Sequence, residues 1–312
     1  MSAISVNVDN FTRAESDRMF AGIAQQAGGV GKWNHLRTPT PVDQQTIIRM
    51  NRDTLYSMAV LDLTGGATLT VPDGAGRYVT VMVIDQDHYV SRTFSEPGTY
   101  ELTTAEFGTE YVALLARVLI DPEDAEDVAI VNALQDALVI DGGTARPFEM
   151  PDYDVASLDA TRSALLELGK WLGGSERMFG KRGEVDPTRH LIGTAMGWGG
   201  LPVEQAVYVN VTPELPVGEY TLTVQEVPVD GFWSISLYNG AGYFQDNPQG
   251  VYSVNSVVAK SNEDGSVTVR FGGGAGEANT LPIMEGWNYV VRLYRPRAEI
   301  LDGSWKFPSI EA

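Results

Sequence analysis

At 312 residues the chain is long enough for two domains or one large β-rich unit, with a substantial core in either case. Its 43% hydrophobic and 20% charged residues are those of a globular protein, and its formal charge of -19 argues against nucleic acid, whose phosphates need clustered Lys and Arg. With no cysteine, disulfides, Cys-ligated zinc, iron–sulfur clusters and thiol nucleophiles are excluded.

Partners are expected to be neutral or cationic small molecules, or anions held by a few arginines. Met1 to Phe20 has no apolar run of signal-peptide length, and no stretch approaches the ~20 apolar residues of a membrane helix. The expectation is a cytoplasmic protein with no membrane partner.

In chain order, Asp9 or Asn10 can cap a first helix through about Gln26, with Phe11, Met19, Phe20 and Ile23 on one face and Gly28-Gly29 as its stop. Pro39 and Pro41 make the stretch from Trp33 an extended connector. From Gln44 the pattern is β, with strands predicted at Thr46 to Met50, Leu55 to Leu63, Ala67 to Val71, Tyr78 to Ile84, Tyr89 to Phe94 and Tyr111 to Ile120. Asp121-Pro122-Glu123 opens a helix to about Ala137 that buries Val128, Val131, Leu134 and Leu138. Two more helices follow: Ser157 to Leu172, with Leu158, Leu165, Leu168 and Leu172 inward, and Asp186 to Ala195. Strands return at Ala206 to Val211, Tyr220 to Val227, Phe232 to Tyr238, Ser266 to Phe271 and Asn288 to Tyr294, with Asp264-Gly265 read as a hairpin turn. The reading is mainly β with a helical insert, an α+β chain. Residues 1–120 hold the first helix and first β unit, 121–204 a helical connector, and 205–312 the second β unit.

The chemistry-bearing stretch is Asn51-Arg52-Asp53-Thr54-Leu55-Tyr56-Ser57, read as the turn of a hairpin between Thr46 to Met50 and Thr54 to Leu63. Asp53 is a candidate to orient His88 or pair with an arginine, Tyr56 a candidate proton donor, Arg52 a candidate to hold an anionic group, and Asn51 a candidate substrate-binding residue. The alternative is that Asn51, Asp53 and Thr54 satisfy backbone groups at a buried corner. Asp85, Asp87, His88 and Tyr89 follow a strand end, where polar residues often line a cleft, and a carboxylate beside a histidine is the minimum for acid–base work. His190 is the other acid–base candidate. Convergence of His35, His88 and His190 on a metal is chemically allowed, but their scatter favours structural or single acid–base roles, so no metal or other cofactor is assigned. Trp198 and Trp233 are packing residues or the aromatic wall of a pocket. No G-x-S-x-G, H-E-x-x-H or phosphate-binding glycine loop occurs.

Two sets of motifs carry a resemblance. Asn51 to Ser57, followed by Gly76-Arg77-Tyr78, is similar to the N-terminal half of a bacterial two-domain family of unknown function numbered 1254. Trp233 to Asn239, Gly242-Tyr243-Phe244, Asn247-Pro248, Tyr252-Ser253, Asp264-Gly265-Ser266, Trp287-Asn288-Tyr289 and Arg292 to Pro296 resemble its partner domain, numbered 1214. The resemblance implies two jelly-roll-like β-sandwich units joined by helices, often assembled into oligomers. Two functions are therefore weighed. One is an enzyme, of hydrolase or lyase type, using Asp53, Tyr56 and His88 or His190 on a small organic molecule in a pocket between the β units. The other is a non-catalytic ligand-binding or assembly module with a structural polar corner. Self-association into a homo-oligomer is expected in either case.

Overall fold

The alternating apolar residues of the β regions collect into separate cores. A computed structural model describes residues 3–45, 48–274 and 276–310, and the chain divides into two units. The first comprises 1–37, 55–120 and 125–203; the second comprises 38–54, 121–124 and 204–312.

In the first unit α1 (Phe11–Ala27) ends at Gly28, whose φ of 73° closes the helix, as the Gly-Gly stop predicts. Strands β1 (Asn34–His35), β2 (Thr54–Val71), β3 (Val79–Asp85), β4 (Val90–Phe94) and β5 (Gly98–Leu102) follow, then α2 (Thr104–Phe107) and β6 (Tyr111–Leu119). After them come α3 (Ala125–Asp136), β7 (Val139–Thr144), α4 (Val155–Gly169) and α5 (Pro187–Gly197). The sheet path is β1-β2-β6-β3-β4, with β5 and β7 also paired to β2. Leu55, Leu61, Val81, Val83, Leu114 and Ala116 share one buried cluster with Val131 and Leu138 from the α3 region.

The helices expected as a connector, 121–204, belong mostly to this first unit. The reason is burial: Leu158, Leu165, Ile192 and Ala195 of α4 and α5 pack with Val6, Phe11 and Ala14 in one cluster. Leu168, expected inside, is exposed, because the buried face of α4 runs through Leu158, Leu165 and Gly169.

The second unit contains β8 (Ala206–Val211), β9 (Tyr220–Val224), β10 (Trp233–Tyr238), β11 (Ser253–Asn255), β12 (Val267–Phe271), β13 (Thr280–Leu281), β14 (Asn288–Tyr294) and α6 (Ala298–Leu301). A four-stranded sheet, β11-β10-β14-β8, and a three-stranded sheet, β13-β12-β9, share a core of Leu222, Val269, Phe271, Ile235, Leu237, Val291 and Leu293. This is sheet-on-sheet packing, and the chain as a whole is α+β with mainly antiparallel strands. The Asp264-Gly265 turn forms, with Gly265 at φ 81°, but it does not close a hairpin, since β12 pairs antiparallel with β9 and parallel with β13.

The predicted strand Thr46 to Met50 is not the partner of β2. Thr46 and Ile47 lie outside the described residues, Ile48-Arg49 is a turn, and β2 pairs with β1 through Asn34↔Met58 and His35↔Ser57.

Candidate functional site

The polar motif around Asp53 divides between the two units, and each half is built locally. In the second unit, strand alternation puts Ile235, Leu237, Val291 and Leu293 into the core and turns Ser234, Ser236, Tyr238, Arg292 and Tyr294 to the opposite face of the β10–β14 pair. Gln45 and the stretch from Arg49 to Asp53 lie along this side of the unit. Gln45 exchanges two hydrogen bonds with the Phe244 backbone, donating at 2.9 Å and accepting at 2.8 Å. The Arg49 N–H donates to Gly242 O at 2.7 Å, and the Tyr238 hydroxyl donates to Met50 O at 2.7 Å. Arg292, only 3% exposed, donates to Ser236 Oγ at 2.7 Å, Arg49 O at 2.8 Å and the Tyr238 hydroxyl at 2.8 Å.

Asp53 is fully buried here. Ser253 donates to its Oδ1 at 3.1 Å, and its N–H donates to Asn51 Oδ1 at 2.9 Å, while Asn51 Nδ2 reaches Thr54 Oγ1 and the Tyr294 hydroxyl, each at 3.1 Å. Arg52 donates to Thr40 O and lies over the Tyr252 ring at 5.1 Å. Burial works against the charge of Arg292, but Tyr238, Tyr294 and Asp53 outweigh it and hold the guanidinium above its ordinary range. Burial raises Tyr238, with Arg292 opposing. The expected arginine partner of Asp53 is therefore Arg292, acting through charge.

In the first unit the Asp85 side chain builds the turn after β3. Its Oδ1 accepts from the N–H groups of Asp87 and Tyr89, both at 2.9 Å, and leaves His88 at φ 64°, a conformation histidine tolerates better than most residues. Burial pushes the Asp85 carboxyl up to about 6, against the pull of the Tyr89 and Asp87 N–H groups. His88 is fully buried in a ladder of rings, 5.5 Å from Trp198, 5.4 Å from His190 and 5.8 Å from Phe179. Asp186 caps α5 through Thr188 and Arg189, and so fixes His190 and Thr194 one turn apart. Asp87 is shared by Arg13 at 2.6 Å and Arg182 at 2.9 Å.

The sequence-predicted residues thus form two groups. Asn51, Arg52 and Asp53 meet in the second unit; Asp85, His88, His190 and Trp198 meet in the first. Asp53 does not orient His88, whose partners are Thr194 and Gly199. Tyr56 is on β2 of the first unit, under the Arg117 guanidinium at 5.4 Å. Trp233 faces the second core, 6.1 Å from Phe307. His35 is bonded to Ser57 at 2.8 Å and stacked on Trp33, outside the His88 ladder. Among the described residues no group of three His, Cys, Asp or Glu side chains is arranged to hold a metal.

Sequence reasoning missed Arg292, Ser253 and Thr194 as site residues. The signal for Arg292 was present: it alternates with Tyr289, Val291 and Leu293 in a strand of buried residues, so its charge had to meet partners inside.

A cavity of about 280 Å³ lies apart from both groups, in the second unit. It is lined by Glu219, Tyr220, Thr221, Arg270 and Glu277 beside the turn Gly272-Gly273-Gly274. No helix among the described residues is long and apolar enough to cross a membrane.

Comparison with known proteins gives two family profiles. Residues 30–142 match "Protein of unknown function (DUF1254)", and residues 216–298 match "Protein of unknown function (DUF1214)". No curated protein matches the chain. A crystal structure of a Vibrio parahaemolyticus protein is similar at a TM-score of 0.72 and 18% identity, with 97% of each chain covered. One of an uncharacterized Burkholderia cenocepacia protein is similar at a TM-score of 0.51 and 15% identity, covering 97% of this chain and 87% of the other. At these identities the likeness concerns the fold.

Proposed function

This chain belongs to the two-domain family that joins a DUF1254 region to a DUF1214 region, and from that premise we propose that it is a non-catalytic ligand-binding or assembly module whose polar corner is structural. The observation that carries the reading is the state of the acid–base candidates. Asp53 is sealed from solvent, with Oδ1 bonded to Ser253 and Oδ2 buried without a hydrogen-bond partner among the described residues, and both ring nitrogens of His88 and of His190 are engaged by internal partners. A general base must reach a substrate proton, and these groups are spent on holding the chain together. Asp53 and Arg292 fasten the stretch from Arg49 to Asp53 to strands β11 and β14, while His88 and His190 fasten α5 and its preceding segment to the turn after β3.

Ligand binding is then assigned to the cavity at Gly272-Gly273-Gly274. Its wall carries Glu219, Tyr220 and Arg270, the last ion-paired with Glu277 at 2.8 Å, which leaves one unneutralised glutamate and suits a small polar molecule. A hydrolase or lyase reading ranks second. It is favoured by one observation, the Asp85 carboxyl raised to about 6, the kind of displacement found in catalytic acids.

A panel of small amines, polyols and carboxylic esters, run as a thermal-shift and turnover assay on wild type, Asp53→Asn, His88→Ala and Glu277→Gln, tests both. The module reading expects Asp53→Asn and His88→Ala to lower stability while ligand shifts persist, and Glu277→Gln to weaken them. Turnover that wild type shows and Asp85→Asn abolishes with its fold intact would overturn it.

A further inference from the structure

Two stacked histidines of the first unit are hydrogen-bonded in opposite senses. His88 Nε2 accepts from the Gly199 N–H at 2.9 Å, so its ring proton resides on Nδ1 and is donated to Thr194 Oγ1 at 2.8 Å. Thr194 in turn donates to the His190 carbonyl at 2.9 Å. A neutral His88 satisfies every one of these contacts.

His190 meets only acceptors. Its Nδ1 is 2.9 Å from Met178 O and its Nε2 is 3.0 Å from Asp87 O. A neutral imidazole carries one N–H and would turn a lone pair toward one of these carbonyls; the doubly protonated ring donates to both. The Tyr89 ring lies parallel at 4.6 Å and offers a π face to a cation. We propose that His190 is held as an imidazolium and acts as a proton-controlled latch, tying the Asp87 turn to the Met178 segment when charged and releasing one of the two when neutral.

The two carbonyls belong to elements that are otherwise separate in sequence, the turn 85–89 and the segment 175–186 that leads into α5. That segment is also held by the Val90 N–H on Gly180 O and by Arg182 on Asp87, so losing one His190 contact loosens it without unfolding the unit. The charged and titratable groups tied to the latch are Asp87, whose carbonyl it meets, His88 and Tyr89, whose rings stack on it, Asp85, which builds the turn, and Arg13 and Arg182, which hold the Asp87 carboxylate. Asp85 titrates in the same range as an imidazole, so the test must separate it from His190.

The test uses the full-length protein with 15N-labelled histidine, followed by long-range 1H–15N correlation and by amide exchange, corrected for its intrinsic pH dependence, between about pH 5 and 8. At the acidic end His190 is expected to show two protonated ring nitrogens and His88 a single Nδ1 proton throughout. As pH rises, His190 loses one proton and exchange in 175–186 quickens about fivefold, the worth of one hydrogen bond. His190→Gln, which keeps a donor for one carbonyl and does not titrate, should remove that pH dependence while Asp85 still titrates. An unprotonated ring nitrogen on His190 at the acidic end would overturn the proposal. So would exchange in 175–186 that is indifferent to pH, or a pH dependence that survives in His190→Gln.

Discussion

Replacing Arg292 by methionine isolates the polar corner of the second unit. The side chain is 3% exposed and donates to Ser236 Oγ, Arg49 O and Tyr238 Oη, all within 2.8 Å. Methionine fills most of the aliphatic volume, so the cavity term is small and the loss is electrostatic. Hydrogen bonds from a charged donor are worth about 1.5–3 kcal/mol each, and Asp53 would be left buried without its balancing cation, a situation that costs about 3–5 kcal/mol. These terms overlap, since the same guanidinium supplies both, so the expected loss is about 4 kcal/mol rather than their sum. For a unit of this size that lowers its melting temperature by roughly 10–20 °C. Calorimetry should show the drop in one of two transitions, because the other unit keeps its own core. The Asp53→Asn variant in the same background completes the cycle: once Arg292 is gone, removing the Asp53 charge should recover at least about 1 kcal/mol. An Arg292→Met protein that loses less than about 1 kcal/mol would mean that the corner is solvated and the reading of Asp53 as part of a structural corner wrong.

Three further outcomes follow from the first unit. Asp85 binds a proton more tightly folded than unfolded, about 6 against 3.8, so its protonation stabilises the fold fully below about pH 4 and that stability is lost as pH rises through 6. Asp85→Asn, whose oxygen can still accept from Asp87 and Tyr89, should therefore be more stable than wild type at pH 7.5 by up to about 3 kcal/mol and show no gain at pH 4, read by urea unfolding at the two pH values. Gly199→Ala sets a side chain on a backbone at φ 79° with its Cβ 2.8 Å from Leu115 Cδ2, and a loss of about 2 kcal/mol is expected in the same assay. His88→Ala leaves the Gly199 N–H and Thr194 without their ring partner and opens a void; a loss of about 3–4 kcal/mol, equal at pH 6 and 8, would match a histidine that stays neutral.

Strands 206–211 and 288–294 were legible to the residue, because both are short runs rich in valine and tyrosine with glycine or proline in their surroundings. The helix at 187–197 was legible from Asp186-Pro187, a cap followed by a proline at the first helical position. The two strands predicted at Leu55 to Leu63 and Ala67 to Val71 are one: β2 runs from Thr54 to Val71 through Gly65-Gly66, with a register shift between Asp62 and Ala67 against β7. Strands β5, only partly buried, and β7, mostly exposed, escaped notice because they have too few apolar positions to set a period.

The site residues were legible as types, but their partners were not, since every decisive pairing is long-range. Asp53 meets Ser253 two hundred residues away, and His88 meets Thr194 and Gly199 more than a hundred away. Adjacency pointed the wrong way in one instance. Asp53 and Tyr56 are three residues apart, yet the boundary at Thr54 assigns the first to the polar face of β10 and β14 and the second to β2 beside Arg117. Density of polar groups in a short stretch is what a catalytic motif requires, and it is equally what a chain requires where it passes from one core to another and must satisfy its backbone in both. The two causes separate by coupling: catalytic neighbours fail together, whereas substitutions at Asp53 and Tyr56 should add without an interaction term, each lowering the transition of its own unit.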